Sequence, residues 1–291
     1  AALLETLHDA QALFGGWLPR SVVERVAAGL GLPVADVYGV TEFYEMFHTE
    51  PVGRTIVRVC QDAPCALAGA GALTEGICRH LGVRPGETTP DGEYTVEPVR
   101  CLGLCDRAPA ALLNLRRHAP ADPQRPELLL AEPPPERLAV GGQLKIALAN
   151  VGVVTPSDLE SYRAQGGLAG LEQALRMTPA QVIDEIRQSK LVGRGGAAFP
   201  AGQKRQLTTN NPPGPRYVIC NADESEPGAF KDRVLLDHDP LRVLEGLLIA
   251  CYAVGAARGF VYIRGEYRPG YDRLRAALEQ LALAGYLGEN I

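Results

Sequence analysis

The sequence has no apolar run approaching the roughly 18 residues that a membrane helix requires, and its mean hydropathy is −0.04. It has no excess of positive charge either. Lys and Arg total 29 against 34 Asp and Glu, a net charge of −5, so a nucleic-acid footprint is not expected. No charged, apolar and small-residue leader opens the chain. Lysine is scarce, with only Lys145, Lys190, Lys204 and Lys231 among those 29 cations. No Gly-Lys-Ser/Thr phosphate loop and no G-x-G-x-x-G fingerprint is present. The seven cysteines are odd in number, which argues against a secreted disulfide framework and for reduced thiols used in metal binding, redox work or packing.

What remains is 291 residues, 46% apolar and 22% charged, the composition of a soluble globular protein long enough for about two domains. The chain opens on Ala1 and stops at Ile291 in a polar stretch, and the expectation is a fragment cut at both ends. Residues 1–50 read as helices: Leu3, Leu7, Ala10 and Phe14 recur at helical spacing, Ser21 and Glu24 suggest a capping box for a second helix, and a third starts near Pro33. Thr55–Cys60 alternates like a strand, Ala66–Leu81 reads as a helix, and Tyr94–Cys101 and Ala110–Leu115 read as strands. The Pro-rich stretch 119–140 reads as a partly extended linker. Beyond it, helices are expected at 157–165, 168–176, 179–189 (capped by Thr178), 241–254 and 271–284, with strands at 216–220 and 260–263. That alternation gives an α/β fold class with a parallel or mixed sheet.

Two pairs of cysteines stand out. Cys60 and Cys65 are separated by four residues, Cys101 and Cys105 by three, and each pair follows an expected strand. Neighbouring strands would bring the four thiols to one centre, either a 2Fe–2S cluster or a structural zinc. Cys78, Cys220 and Cys251 fall on apolar faces and read as packing residues. Two loops could hold an organic cofactor. In Gly193–Lys204, the backbone of Gly193, Arg194, Gly195, Gly196, Ala197 and Gly202 can approach a ligand, Lys204 suits a phosphate, and Phe199 offers a ring face. Asn221–Arg233 follows a strand end, where α/β folds bind ligands. There Asn221, Asp223, Glu224, Ser225 and Glu226 can meet ring edges and hydroxyls. The carboxylates Asp223, Glu224 and Glu226 lack the pattern of a calcium loop.

These motifs carry a resemblance. Residues 1–118 resemble the thioredoxin-like 2Fe–2S subunit of respiratory complex I, through Phe14–Pro19, Val37–Tyr44, Val59–Cys65, Gly86–Gly92 and Cys101–Cys105. Residues 141–291 look like the N-terminal half of the flavin-binding, NADH-oxidising subunit, through Gly193–Lys204, Asn221–Arg233 and Tyr262–Tyr267. Both halves on one chain also resemble flavoprotein subunits of NAD-dependent formate dehydrogenases and NAD-reducing hydrogenases. The resemblance implies a helical lead plus thioredoxin-like domain, then an incomplete Rossmann-like FMN-binding domain. It implies FMN facing Gly193, Gly195, Lys204, Asn221 and Asp223, and NAD(H) facing Phe199 and Glu226, with one 2Fe–2S cluster on Cys60, Cys65, Cys101 and Cys105. It also implies no catalytic side chain, since the hydride chemistry is the flavin's. A 4Fe–4S cluster is expected only downstream of Ile291. Ala198 stands where the family usually has Gly, Ala201 where Thr is common, and Arg205 in place of an aromatic. The implied function is an NADH dehydrogenase electron-entry module, with other iron–sulfur subunits as partners. It would be cytoplasmic, or peripheral on the cytoplasmic face of the inner membrane. The alternatives are a diaphorase subunit of an NAD-dependent formate dehydrogenase or NAD-reducing hydrogenase and, from another class, a non-catalytic, zinc-stabilised scaffold.

Overall fold

The computed structural model describes residues 3–133, 138, 140–212 and 214–288. The chain divides into two compact units: Ala1–Glu136 with the short segment Ser225–Phe230, and Arg137–Glu224 with Lys231–Ile291. Among the described residues no helix is long and apolar enough to cross a membrane.

The first unit begins with three helices, α1 (Leu3–Leu13), α2 (Arg20–Leu30) and α3 (Val34–Phe43). Val22, Val23, Val26 and Ala27 form one stripe of α2 and bury it against Leu7, Leu18, Val37 and Phe47. Ser21 does not cap α2. Pro19 takes the N-cap position with no side-chain hydrogen bond, and its carbonyl accepts the N–H groups of Val22 and Val23. The proline's fixed φ suits this entry, so Ser21 lies inside the helix.

A four-stranded sheet follows, ordered β2–β1–β3–β4, from β1 (Thr55–Cys60), β2 (Tyr94–Val99), β3 (Ala111–Leu113) and β4 (Arg116–His118). β1 and β2 are parallel, in register from Thr55↔Tyr94 to Cys60↔Val99, and β3 lies antiparallel on β1. Between β1 and β2 run α4 (Ala63–Leu67) and α5 (Ala70–Leu81). The single helix expected over 66–81 is broken at Gly69, whose φ of +95° suits glycine. Val57, Val59, Val96 and Leu112 pack with Leu73 and Ile77 of α5 in a continuous core. The other side of β1 carries Arg58, which faces Glu97 across the register (Nε to Oε2 3.1 Å) and reaches His48 beyond α3 (Nη2 to Nε2 3.1 Å).

The stretch expected as a linker is only partly one. Pro126–Leu130 forms a 3₁₀ turn with Leu129 buried in the first core. Pro126 packs on Gly76, where a Cβ would come within 2.7 Å of it. Gly76 on α5 thus makes room for the proline ring.

The second unit contains α6 (Leu159–Ala164), α7 (Ala169–Leu175), α8 (Pro179–Gln188), α9 (Ala201–Thr209), β5 (Tyr217–Ala222), α10 (Lys231–His238), α11 (Pro240–Val254), β6 (Arg258–Ile263) and α12 (Arg268–Leu283). β5 and β6 pair in parallel, so Ala222 and Ile263 end side by side. Helices α9 and α10 are not expected from the sequence. Thr178 and Gln181 form the complete capping box of α8. The buried Glu245 of α11 does the same work for α7 at a distance: its carboxylate accepts the Leu168 and Leu171 N–H groups and the Tyr162 hydroxyl. Leu168, Leu171, Leu241, Leu244, Leu274 and Leu281 surround this network as the core.

Candidate functional site

In the first unit, parallel pairing decides where the cysteines go. Cys60 ends β1 and lies opposite Val99, so Cys101, two residues on, emerges from the same end of the sheet. Cys65 sits within α4, and Cys105 opens a 3₁₀ turn. Cys60, Cys65 and Cys101 are about 1% exposed, and Cys105 is half-buried. The sulfurs meet in a row: Cys65 hydrogen-bonds Cys60, Cys60 hydrogen-bonds Cys101, and Cys101 lies 3.3 Å from Cys105. The Gly103 N–H donates to Cys101 Sγ at 3.4 Å. All seven cysteines are free thiols. Among the described residues no group of three or more His, Cys, Asp or Glu side chains is already disposed to hold a metal ion.

The electrostatics follow from burial. The hydrogen bond to Cys60, followed by burial, pushes the Cys101 thiol far up, and burial raises Cys105. Cys65 is lowered, first by its hydrogen bond with Cys60. Four thiolates, three of them buried, would repel one another in this low-dielectric pocket unless cationic metal compensates them. A set of four soft sulfurs is the chemistry that iron–sulfur clusters and zinc select. The donor set therefore fits a 2Fe–2S cluster, and spacing alone also admits zinc. Cys78 lies in the apolar core under α5, as its packing role requires.

In the second unit, the Gly193–Phe199 loop is pinned at its base. Val192 bridges Pro200, the Gly193 N–H donates to the Phe199 carbonyl at 2.9 Å, and the Ala201 N–H donates to Leu191 at 2.8 Å. Everything between stands exposed, including Arg194, Gly195, Gly196 and Ala197. Gly196 has φ +109° and Ala198 φ +50°; the second value explains why glycine suits that position, since an L side chain is strained there. α9 starts at Ala201 behind Pro200, with no side-chain cap, leaving helix N–H groups for an anion. Lys204 is exposed in its first turn. Gly202 is different from the other glycines of the loop. It is buried, and a Cβ on it would meet the Arg187 backbone at 2.7 Å. It joins α9 to α8, so its demand is for packing.

The acidic loop also splits by role. Asn221 lies at the end of β5 rather than in the loop, and its Oδ1 accepts the Asp223 N–H at 3.1 Å. Asn221, Asp223, Ser225 and Glu226 are exposed. Glu224 is not: it is 1% exposed, and its carboxylate accepts the Asp232 and Arg233 N–H groups at the start of α10 (2.9 to 3.1 Å). Burial alone would raise its carboxyl, but these N–H groups and Lys231 outweigh that and lower it. The sequence groups Glu224 with the exposed acids. The signal that separates it is the Lys231-Asp-Arg run, a helix start needing an anionic cap. Arg264 and Tyr267 touch Glu224, a role that the spacing of their own motif does not disclose.

Comparison with known proteins bears on both units. Residues 1–132 match the thioredoxin-like [2Fe-2S] ferredoxin family, and residues 186–288 match the Nuo51 FMN-binding domain. The chain is 35% identical to the NAD-reducing hydrogenase HoxS subunit alpha of Cupriavidus necator, an alignment covering 99% of this chain and 50% of that protein. It is 51% identical to an NADH-quinone oxidoreductase subunit of Aquifex aeolicus over 46% of this chain and 31% of that one. A crystal structure of an NAD⁺-reducing [NiFe]-hydrogenase in its H₂-reduced state superposes with a TM-score of 0.80 at 30% identity, covering 98% of this chain and 48% of that one. The chain thus spans about half or less of the length of these relatives.

Proposed function

Because the chain joins a thioredoxin-like [2Fe-2S] ferredoxin domain to a stretch that matches the Nuo51 FMN-binding domain, we propose that it is an electron-entry module of an NADH:acceptor oxidoreductase. The observation that carries this reading is the group of four neighbouring thiols, three of them buried, in a chain that also holds the pinned glycine loop. Bound FMN would supply the exchange of a hydride for single electrons, and the cluster a one-electron carrier.

The protein's part is to bind and orient. The exposed main chain of Gly193–Ala197 approaches the flavin, and the uncapped start of α9 with Lys204 takes its phosphate. Asn221 and Asp223, at the C-terminal end of β5, serve its polar edges. Phe199 and Glu226 are assigned to the nicotinamide nucleotide, and Ser225 to the same loop. Cys60, Cys65, Cys101 and Cys105 hold the cluster. Glu224 and Gly202 are assigned to the scaffold of the site. Other iron–sulfur subunits accept the electrons, and the module works in the cytoplasm or on the cytoplasmic face of the inner membrane. Residues 1–118 and 141–291 are the two functional domains of this reading.

Anaerobic expression followed by absorption and EPR spectroscopy tests it. Iron and acid-labile sulfide in equal amounts, with an EPR signal on reduction, are expected. Stoichiometric zinc without sulfide would overturn it in favour of a scaffold. A second reading, the diaphorase subunit of an NAD-reducing hydrogenase, is favoured by one observation: that relative aligns with 99% of this chain, the NADH-quinone oxidoreductase relative with 46%. Co-purification distinguishes the two, through a nickel-containing partner or membrane subunits.

A further inference from the structure

The motif Tyr262-Ile-Arg-Gly-Glu-Tyr267 has no role in the reading above, yet the structure gives it one. β5 and β6 run parallel, so the turn after Ile263 lies beside the turn after Ala222. Arg264 crosses that gap. Its Nη1 donates to the main-chain carbonyl of Glu224 at 2.9 Å. The Tyr267 hydroxyl stands 3.3 Å from the same carbonyl and 3.3 Å from Glu224 Oε2. Arg264 is itself held. Its Nη2 bonds Glu266 at 3.1 Å, and its guanidinium lies 5.5 Å from the centre of the Tyr267 ring. It also approaches Asp223 Oδ1 at 4.0 Å. Tyr267 is fully buried and the Arg264 side chain nearly so.

Glu224 is thereby gripped at both ends. Its side chain is fixed by α10 through Asp232, Arg233 and Lys231, and its carbonyl by β6's turn. A loop residue clamped at carboxylate and carbonyl cannot rotate its peptide plane. The directions of Asn221 and Asp223 before it are then set by α10 and by the turn after β6. We infer that Arg264 and Tyr267 are positioning residues for the flavin-facing loop, acting through Glu224 as its anchor. This inference rests on the flavin reading proposed above.

The test uses the intact polypeptide and the variants Tyr267→Phe and Arg264→Lys. Tyr267→Phe removes one hydroxyl and keeps the ring, so it is expected to fold. Arg264→Lys keeps the charge but loses the guanidinium fork. FMN affinity is read by flavin fluorescence quenching, the geometry of bound flavin by visible circular dichroism, and loop order by hydrogen exchange over residues 221–233. Expected are about tenfold weaker FMN binding for Tyr267→Phe, the size of one lost hydrogen bond to a charged group, a changed flavin dichroism band, and faster exchange of the Asp232 and Arg233 amides. Arg264→Lys should show the same pattern with its charge retained. Unchanged exchange in both variants overturns the inference. Faster exchange with wild-type FMN affinity and dichroism also overturns it, since the clamp is then only structural, and leaves the flavin reading standing. A full-length wild-type protein that takes up no FMN overturns the flavin reading, and the inference with it.

Discussion

Lowering the pH should loosen the first unit through a single imidazole. His48 sits against Arg58 and Glu97, with Nε2 3.1 Å from Arg58 Nη2 and Nδ1 3.4 Å from Glu97 Oε1. Arg58 can only donate, so Nε2 must keep its lone pair, and the proton of the neutral ring belongs on Nδ1 toward Glu97. A second proton would aim an N–H at the guanidinium. Burial, followed by the Arg58 charge, pushes His48 down to about 4 from 6.5. The unfolded chain therefore takes up this proton first. Stability is fully present above pH 6.5 and is lost as the pH falls from there toward 4. At about 1.4 kcal/mol per unit, the full effect is about 3 kcal/mol, of which about 2 kcal/mol falls between pH 7 and pH 5. The assay is urea unfolding followed by Trp17, the only tryptophan in the sequence, which belongs to this unit. The wild type and His48→Gln are compared at both pH values. The wild type should lose about 2 kcal/mol more than the variant over that interval. Parallel pH dependence of the two proteins would refute the argument.

Other expectations are separable from that one. Gly202→Ala should destabilise the second unit by about 1–3 kcal/mol, because its new methyl would press on the Arg187 backbone; a thermal midpoint equal to wild type would contradict the packing role. Thr178→Ala should cost about 1 kcal/mol in denaturant unfolding, since it removes the side chain that accepts the Gln181 N–H. Cys60→Ser should abolish the visible iron–sulfur absorption of reconstituted protein, whereas Cys251→Ser, on the apolar side of α11 against Gly259, should retain it. Loss in both, or in neither, would redraw the ligand set.

The sequence revealed those elements whose cause is local. β1 is rich in β-branched residues, though it is buried almost throughout rather than on alternate positions, and Thr178, Pro179 and Gln181 carry their own cap. The cysteine pairs announced themselves by following strands. Elements fixed from a distance stayed hidden. α9 reads Ala-Gly-Gln-Lys-Arg-Gln, with no apolar stripe, and is placed by Gly202 packing on α8. α10 opens in a run of charges and is capped by Glu224, eight residues before Asp232. Because that cap stands eight residues away rather than at the usual two or three, the Lys231-Asp-Arg run is the only local sign of the helix and of the burial of Glu224. Ser21 failed as a cap because a proline two residues earlier already set the helix entry. The prolines at 123 and 126 looked like spacers, and became packing partners only where Gly69 and Gly76 made room. The positive φ of Ala198, by contrast, accounts for a position where the family resemblance and this chain disagree.

The parallel pairing of β1 with β2 has a consequence for how this chain can vary. Run antiparallel, the same strands would send their cysteine loops off opposite ends, about 20 Å apart for six residues at roughly 3.3 Å each. As paired, the sulfurs are counted from the strand ends and not from each other. The 35 residues between Cys65 and Cys101 can lengthen or shorten in their helices and turns without moving a ligand. One residue inserted within β2, between Thr95 and Val99, would instead reverse the faces beyond it and turn Cys101 away. Tolerance to insertion should therefore change abruptly at Tyr94, at a boundary set by hydrogen-bond register rather than by distance from the metal.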